Sequence, residues 1–215
     1  MKNLLAKEFR LAMHPTALIF LSLSAMLIIP NYPYYVTFFY TGLAVFFTCL
    51  GGRENKDIYY SAMLPVRKVD IVRARFAFVI ILEAAQLLLA LPFALLRQSF
   101  PIPGNQVGMD ANLAFFGLSL VMLGLFNASF FRVYYRDVNK VGKAFAVSST
   151  VTWVYIVLAE ACDHAIPFFR DELDTPDPAH LGAKLAVLGA GLLVFAALTG
   201  LAYRRAAADF EAQDL

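Results

Sequence analysis

One carboxylate stands where proton chemistry would need it, deep inside an apolar stretch. It is Glu83, seven residues beyond Phe76 in FAFVIILEAAQLLLALPFALL, which puts it roughly 10 Å along a helix at ~1.5 Å per residue. Gln86 follows at i+3 on the same helical face. A charged group facing lipid at that depth costs on the order of 3 kcal/mol, so an acid there is a functional residue by default. Two readings compete: the proton site of a secondary transporter, or an interhelical hydrogen bond. The second is favoured, because no other acid or histidine stands at relay spacing. The rest of the reactive inventory is scattered. His14, His164 and His180 fall in interfaces or loops, and Asp163-His164 has no nucleophile motif with it. Cys49 and Cys162 form no CxxC or Cys/His pattern, so no metal site is expected. The phosphate loop, HExxH and GxSxG are all missing. Nothing here reads as an enzyme.

The elements that would hold these residues are membrane helices. Sixty per cent of the 215 residues are apolar and 16% are charged, against about 25% charged in soluble domains. The apolar residues lie in blocks, six of which approach the roughly 20 residues needed to cross the hydrocarbon. The expected spans are 16–30, 34–50, 76–97, 111–131, 144–160 and 181–203, an all-α integral membrane protein in one domain. Pro30-Asn31-Tyr32-Pro33 ends the first span and turns the chain directly into the second. Asn127, Ser129, Ser148, Ser149, Thr150 and Thr152, with Gly182, Gly189, Gly191 and Gly200, give small or polar surfaces for close helix packing.

Basic residues set the orientation. Fifteen of the eighteen lie on one side: Lys2, Lys7, Arg10, Arg53, Lys56, Arg67, Lys68, Arg73, Arg75, Arg132, Arg136, Lys140, Lys143, Arg204 and Arg205. Only Arg97, Arg170 and Lys184 lie on the other, beside an acidic segment over 161–180. Both termini are therefore expected in the cytoplasm. The first fifteen residues, broken by Lys7, Glu8 and Arg10, lack a signal peptide's apolar core, so insertion is expected through the first span. A net charge of +2 gives no reason to expect nucleic acid.

Two cytoplasmic features remain. Leu5, Phe9, Ala12 and Met13 share one face of a helix over 1–14, which suits an amphipathic segment in the interface. The inner loop over 51–75 holds Asp57-Ile58-Tyr59-Tyr60-Ser61-Ala62-Met63-Leu64, helical in length and stopped by Pro65. Tyr and Met are enriched at protein interfaces. This short helix either docks on a partner or packs back on the chain's own spans.

Together these features resemble the permease subunits of ABC-2 type exporters. The inner-loop run Arg53-Glu54-Asn55-Lys56-Asp57-Ile58-Tyr59-Tyr60, then Leu64-Pro65-Val66-Arg67-Lys68 and Asp70-Ile71-Val72-Arg73-Ala74-Arg75, is similar to a bacterial branch that includes phenol-soluble-modulin and antimicrobial-peptide exporters. The resemblance implies a coupling helix formed by Asp57, Ile58, Tyr59, Tyr60, Met63, Leu64 and Pro65, docked in a groove of a separate cytosolic ATPase. Arg67 and Lys68 would hold its orientation, and Phe9 and Arg10 would belong to an elbow helix beside the ATPase. It further implies a second permease copy, identical or not, and a bacterial cytoplasmic membrane. ATP and magnesium would be bound by the partner, with no cofactor on this chain. The cargo would be a hydrophobic or amphipathic molecule, in this branch a peptide, and the segment over 161–180 would dip back into the outer leaflet. The rival from another class remains a proton-coupled secondary transporter using Glu83, although the two halves show no internal repeat.

Overall fold

The computed structural model describes residues 2–99 and 104–213, which form helices and no strand. The chain begins with α1 (Lys2–Lys7), which widens into a π-helical turn over Glu8–Ala12. It then bends by 87° into α2 (Thr16–Ser22), whose last turns tighten to a 3-10 helix over Leu23–Ile28. Five further long helices follow: α3 (Tyr35–Glu54), α5 (Lys68–Ser99), α6 (Leu113–Tyr134), α7 (Val141–Ala165) and α8 (Leu181–Glu211). The short α4 (Asp57–Met63) lies between α3 and α5.

Among the described residues, five helices are long and apolar enough to span a membrane, and α1 with α2 makes a sixth only if the bent pair counts as one. The segment Thr16–Ile28 alone is shorter than the roughly 20 residues of a full crossing. Helix ends also depart from expectation. The third span starts at Lys68 rather than 76, because Asp70 to Arg75 continue the helix instead of forming loop. The helix of the last span runs on to Glu211, where Ala206, Ala207 and Phe210 are buried in the cluster at the basic end of the bundle. Residues 161–165 extend α7, and after a break a π-helical turn forms at Phe169–Leu173.

The hub is α6. It is buried over most of its length, whereas α7 and α8 leave most of theirs facing outward. Lipid tails are as apolar as leucine, so close packing and interhelical hydrogen bonds must hold such a bundle together. Glycines allow the approach: a Cβ on Gly191 would stand 2.1 Å from the Gly117 carbonyl oxygen, and one on Gly117 would stand 2.7 Å from Leu188 Cα. Of the four α8 glycines expected to serve packing, only Gly191 does so. Gly182, Gly189 and Gly200 face open space. Ser129, Ser148 and Thr150 donate to carbonyls of their own helices.

Two aromatic-rich clusters fill the interior. One, at the basic end, gathers Phe76, Phe130, Phe131, Tyr135 and Phe210, and the other gathers Tyr34, Tyr35, Phe38, Phe115 and Leu173 at the acidic end. The acidic end is closed by a hydrogen-bonded cap. Asn112 accepts from the Phe115 amide at 3.0 Å and donates to the carbonyls of Leu173 and Thr175. Lys184, fully buried, donates to the Thr175 carbonyl at 2.5 Å and pairs with Asp177 at 3.1 Å. Arg97 lies over the Tyr34 ring and pairs with Asp110 at 3.3 Å. Two of the three cations at this end are thus neutralised inside the protein.

Asp174 accepts from the Asp110 amide at 2.7 Å. Its pKa is raised to about 6, chiefly by burial and further by Asp163 and Asp110, against the lowering effects of that amide and Lys184. The folded cap therefore binds a proton more tightly than the unfolded chain, and this contribution fades as pH rises from about 4 through 6. Protection from hydrogen exchange in residues 104–112 and 169–180, taken relative to the intrinsic rate at each pH, is expected to be greater at pH 5 than at pH 7, and Asp174→Asn should reduce the difference. For the hub, Gly191→Leu should lower the thermal stability of detergent-solubilised protein by at least the roughly 1–3 kcal/mol typical of overpacking, while Gly189→Leu should be tolerated.

Candidate functional site

A sharp reversal of the backbone separates α3 from α4, with Lys56 in the left-handed region at φ 52°. That reversal places Asp57, the first residue of α4, against α1 and α5. Four charges meet there in a closed ring. Asp57 pairs with Lys7 Nζ at 2.8 Å and with Arg75 Nη2 at 2.7 Å. Glu8 pairs with the same two cations, Lys7 at 3.0 Å and Arg75 Nε at 2.7 Å. The Glu8–Arg75 contact is a close ion pair whose N–H lies outside hydrogen-bond alignment. Lys7 also donates to Ser61 Oγ at 3.0 Å, and Arg75 Nη1 approaches Cys49 Sγ at 3.8 Å.

Glu8 and Arg75 are almost wholly buried, and the ring carries two charges of each sign. Buried charge is tolerated only with such compensation. The ring ties together α1, α4 and the base of α5. Apolar contacts reinforce it: Phe9 packs edge-on to Phe78 with ring centroids 5.0 Å apart, and Ile58 is buried in the core.

The expected docking residues divide between two faces of α4. Asp57 and Ile58 point inward. Tyr59 is half-buried, and its hydroxyl accepts from Asn139 Nδ2 at 3.1 Å, which attaches α4 to the α6–α7 turn. Tyr60, Met63 and Leu64 point outward, exposed by 69%, 80% and 52%, with Pro65 exposed beside them. Arg67 is exposed but grips Asp70 with two hydrogen bonds of 2.9 and 3.2 Å, and Lys68 donates to the Gln213 carbonyl near the end of α8. Of the elbow residues, Phe9 faces the core and Arg10 is exposed. The sequence reading counted Lys7 and Arg75 only as basic residues and assigned Glu8 no partner. The spacing of Leu4 and Glu8, both buried one turn apart, was the available signal.

Glu83 and Gln86 are buried at the seam between the two aromatic clusters. Asn127 Nδ2 donates to Glu83 Oε2 and to Thr199 Oγ1, each at 3.2 Å, and Gln86 Nε2 donates to Ser24 Oγ at 3.0 Å. The two side chains therefore join α5 to α6 and α8, and to the 3-10 end of α2. Among the described residues, no salt bridge reaches Glu83 and no group of three potential metal ligands forms. His14 bonds to Thr16, whereas His164 and His180 are exposed.

A bundle of apolar helices, with a short helix clamped to its basic end, describes a polytopic membrane protein. The chain belongs to the ABC-2 family transporter proteins, the family that matches residues 3–199. No curated protein and no solved structure matches it. It is thus a multi-pass membrane permease of the ABC transporter class, a subunit that works with an ABC ATPase.

Removing one member of the charge ring leaves a buried charge without its partner. Glu8→Gln should lower stability by about 3–5 kcal/mol, measured by thermal unfolding in detergent, and should open residues 1–14 to protease. Glu83→Gln keeps a hydrogen-bonding group opposite Asn127 and should preserve assembly and transport. Glu83→Leu strands the Asn127 amide at a cost of about 1–3 kcal/mol. Loss of transport in Glu83→Gln, with assembly and partner ATPase activity intact, would instead favour proton coupling.

Proposed function

We propose that α4 is the coupling helix of an ATP-driven exporter, gripped from the cytosol by a separate ATPase subunit. The observation that carries this reading is the division of its two faces. Tyr60, Met63 and Leu64 stand exposed on one face while the other is fastened by the charge ring. Isolated helices of seven residues are unstable in water, so the fastening makes α4 a rigid knob. Exposed aromatic and methionine side chains next to a basic rim suit an apolar groove on a protein partner.

In this reading both termini face the cytoplasm, which the excess of basic residues at that end supports. The neutralised Arg97 and Lys184 at the opposite end strengthen the asymmetry. ATP and its magnesium bind the partner. Closure of a pair of ATPases pushes two α4 helices, one in each of two permease copies, and the ring passes that displacement to α1 and α5. Movement of α5 relative to α6 and α8 then alters the cavity between the copies. An apolar bundle in a bacterial cytoplasmic membrane suits a hydrophobic or amphipathic cargo, and the inner-loop likeness to exporters of amphipathic peptides favours a peptide carried outward.

Tyr60→Asp and Leu64→Asp change exposed side chains, so folding in detergent should match wild type. Co-purification with the ATPase should fall by at least tenfold. Undiminished co-purification of both variants would remove the assignment of α4 as the docking element.

A further inference from the structure

We propose that a groove between α5 and α8 at the basic end of the bundle binds one anionic phospholipid, with its phosphate at Arg73 and one acyl chain running inward. The groove has a volume of about 410 Å³ and is lined by Arg73, Phe76, Ala77 and Ile80 of α5, with Phe195, Thr199 and Gly200 among its α8 residues. That volume lies within the range of small-molecule sites, roughly 300–1,000 Å³. The α5 residues recur at i, i+3, i+4 and i+7, so they form one strip parallel to the helix axis. The lining is almost wholly apolar, and exposed Arg73 is its first residue along α5.

Charge identifies the occupant. Arg73 is exposed and takes part in none of the salt bridges among the described residues, because Asp70, one turn earlier, is held by Arg67. Arg204, one turn beyond Gly200 on α8, is also exposed. Arg73 in the lining, with exposed Arg204 next in sequence to the lining residue Tyr203, supplies positive charge for a phosphate whose hydrocarbon chain follows the apolar slot. Within a bilayer the chain gains little from leaving other lipid tails for an apolar groove. Selection among lipids must then come from the headgroup, and cations near the membrane surface favour anionic over zwitterionic lipid.

Gly200 supplies the room. A Cβ there would meet nothing within 4 Å, so a larger side chain fits the backbone and projects into open space. Gly200→Leu therefore fills the groove without disturbing the fold.

Native mass spectrometry of the full chain, extracted in mild detergent and exposed to phosphatidylglycerol and phosphatidylcholine of equal chain length, tests the proposal. The wild type is expected to prefer phosphatidylglycerol by roughly fivefold or more, the effect of a single surface cation. Arg73→Gln should reduce that preference severalfold, Arg73→Lys should retain most of it, and Gly200→Leu should deplete the one-lipid adduct of either lipid. Equal binding of the two lipids by wild type would overturn the proposal without recourse to any variant. So would a change of oligomeric state in Gly200→Leu with lipid retention unaltered, which would assign the groove to a second copy of the chain.

Discussion

Four charges closed into a ring decide what the basic end of this protein can do. Lys7, Glu8, Asp57 and Arg75 come from three separate elements, and each cation contacts both carboxylates. Buried ions are costly to desolvate and tolerate little separation once paired. A displacement of α4 alone would pull Asp57 from two partners at once. The ring therefore fastens α1, α4 and the foot of α5 to one another. Without the ring, α4 would be held by the buried Ile58 and the Tyr59–Asn139 hydrogen bond, with no charged tie to α1 or α5.

The membrane interior follows a complementary logic. Solvent cannot drive helices together in lipid, so shape and a few hydrogen bonds must do so. Gly117 and Gly191 bring the backbones of α6 and α8 into contact, while the Glu83–Asn127–Thr199 cluster fastens α5 to the same pair. Polar residues are thus spent at the seam between two aromatic clusters and in the cap at the acidic end. In the proposed coupling, motion received by α5 at its foot would meet α8 at this seam.

Much of this was legible in the sequence, for reasons tied to particular residues. Block hydropathy located five long apolar helices and the bent pair before them because a bilayer imposes length, and the prolines at 30 and 33 marked the first turn. Pro65, which cannot continue a helix, and the aliphatic-aromatic run before it marked α4. What composition could not convey was pairing in three dimensions. Arg75 reads as a loop cation until the helix is seen to begin at Lys68, which turns its side chain inward toward Glu8. Arg97 and Lys184 count as ordinary charges along the chain, yet in space they are satisfied by Asp110 and Asp177. Helix ends were misplaced for the same reason. Charged residues end a hydropathy block whether or not the helix continues through them.

Cross-linking from position 63 tests the central claim most directly, because Met63 is the most exposed residue of α4 and the two natural cysteines are buried or half-buried. A Met63→Cys chain in native membranes, treated with a short thiol-to-amine cross-linker, should join to an ABC ATPase, with a yield that changes when ATP is added. A cysteine at 63 that reacts freely with water-soluble maleimide, yet never joins an ATPase that co-purifies with the chain, would contradict the account.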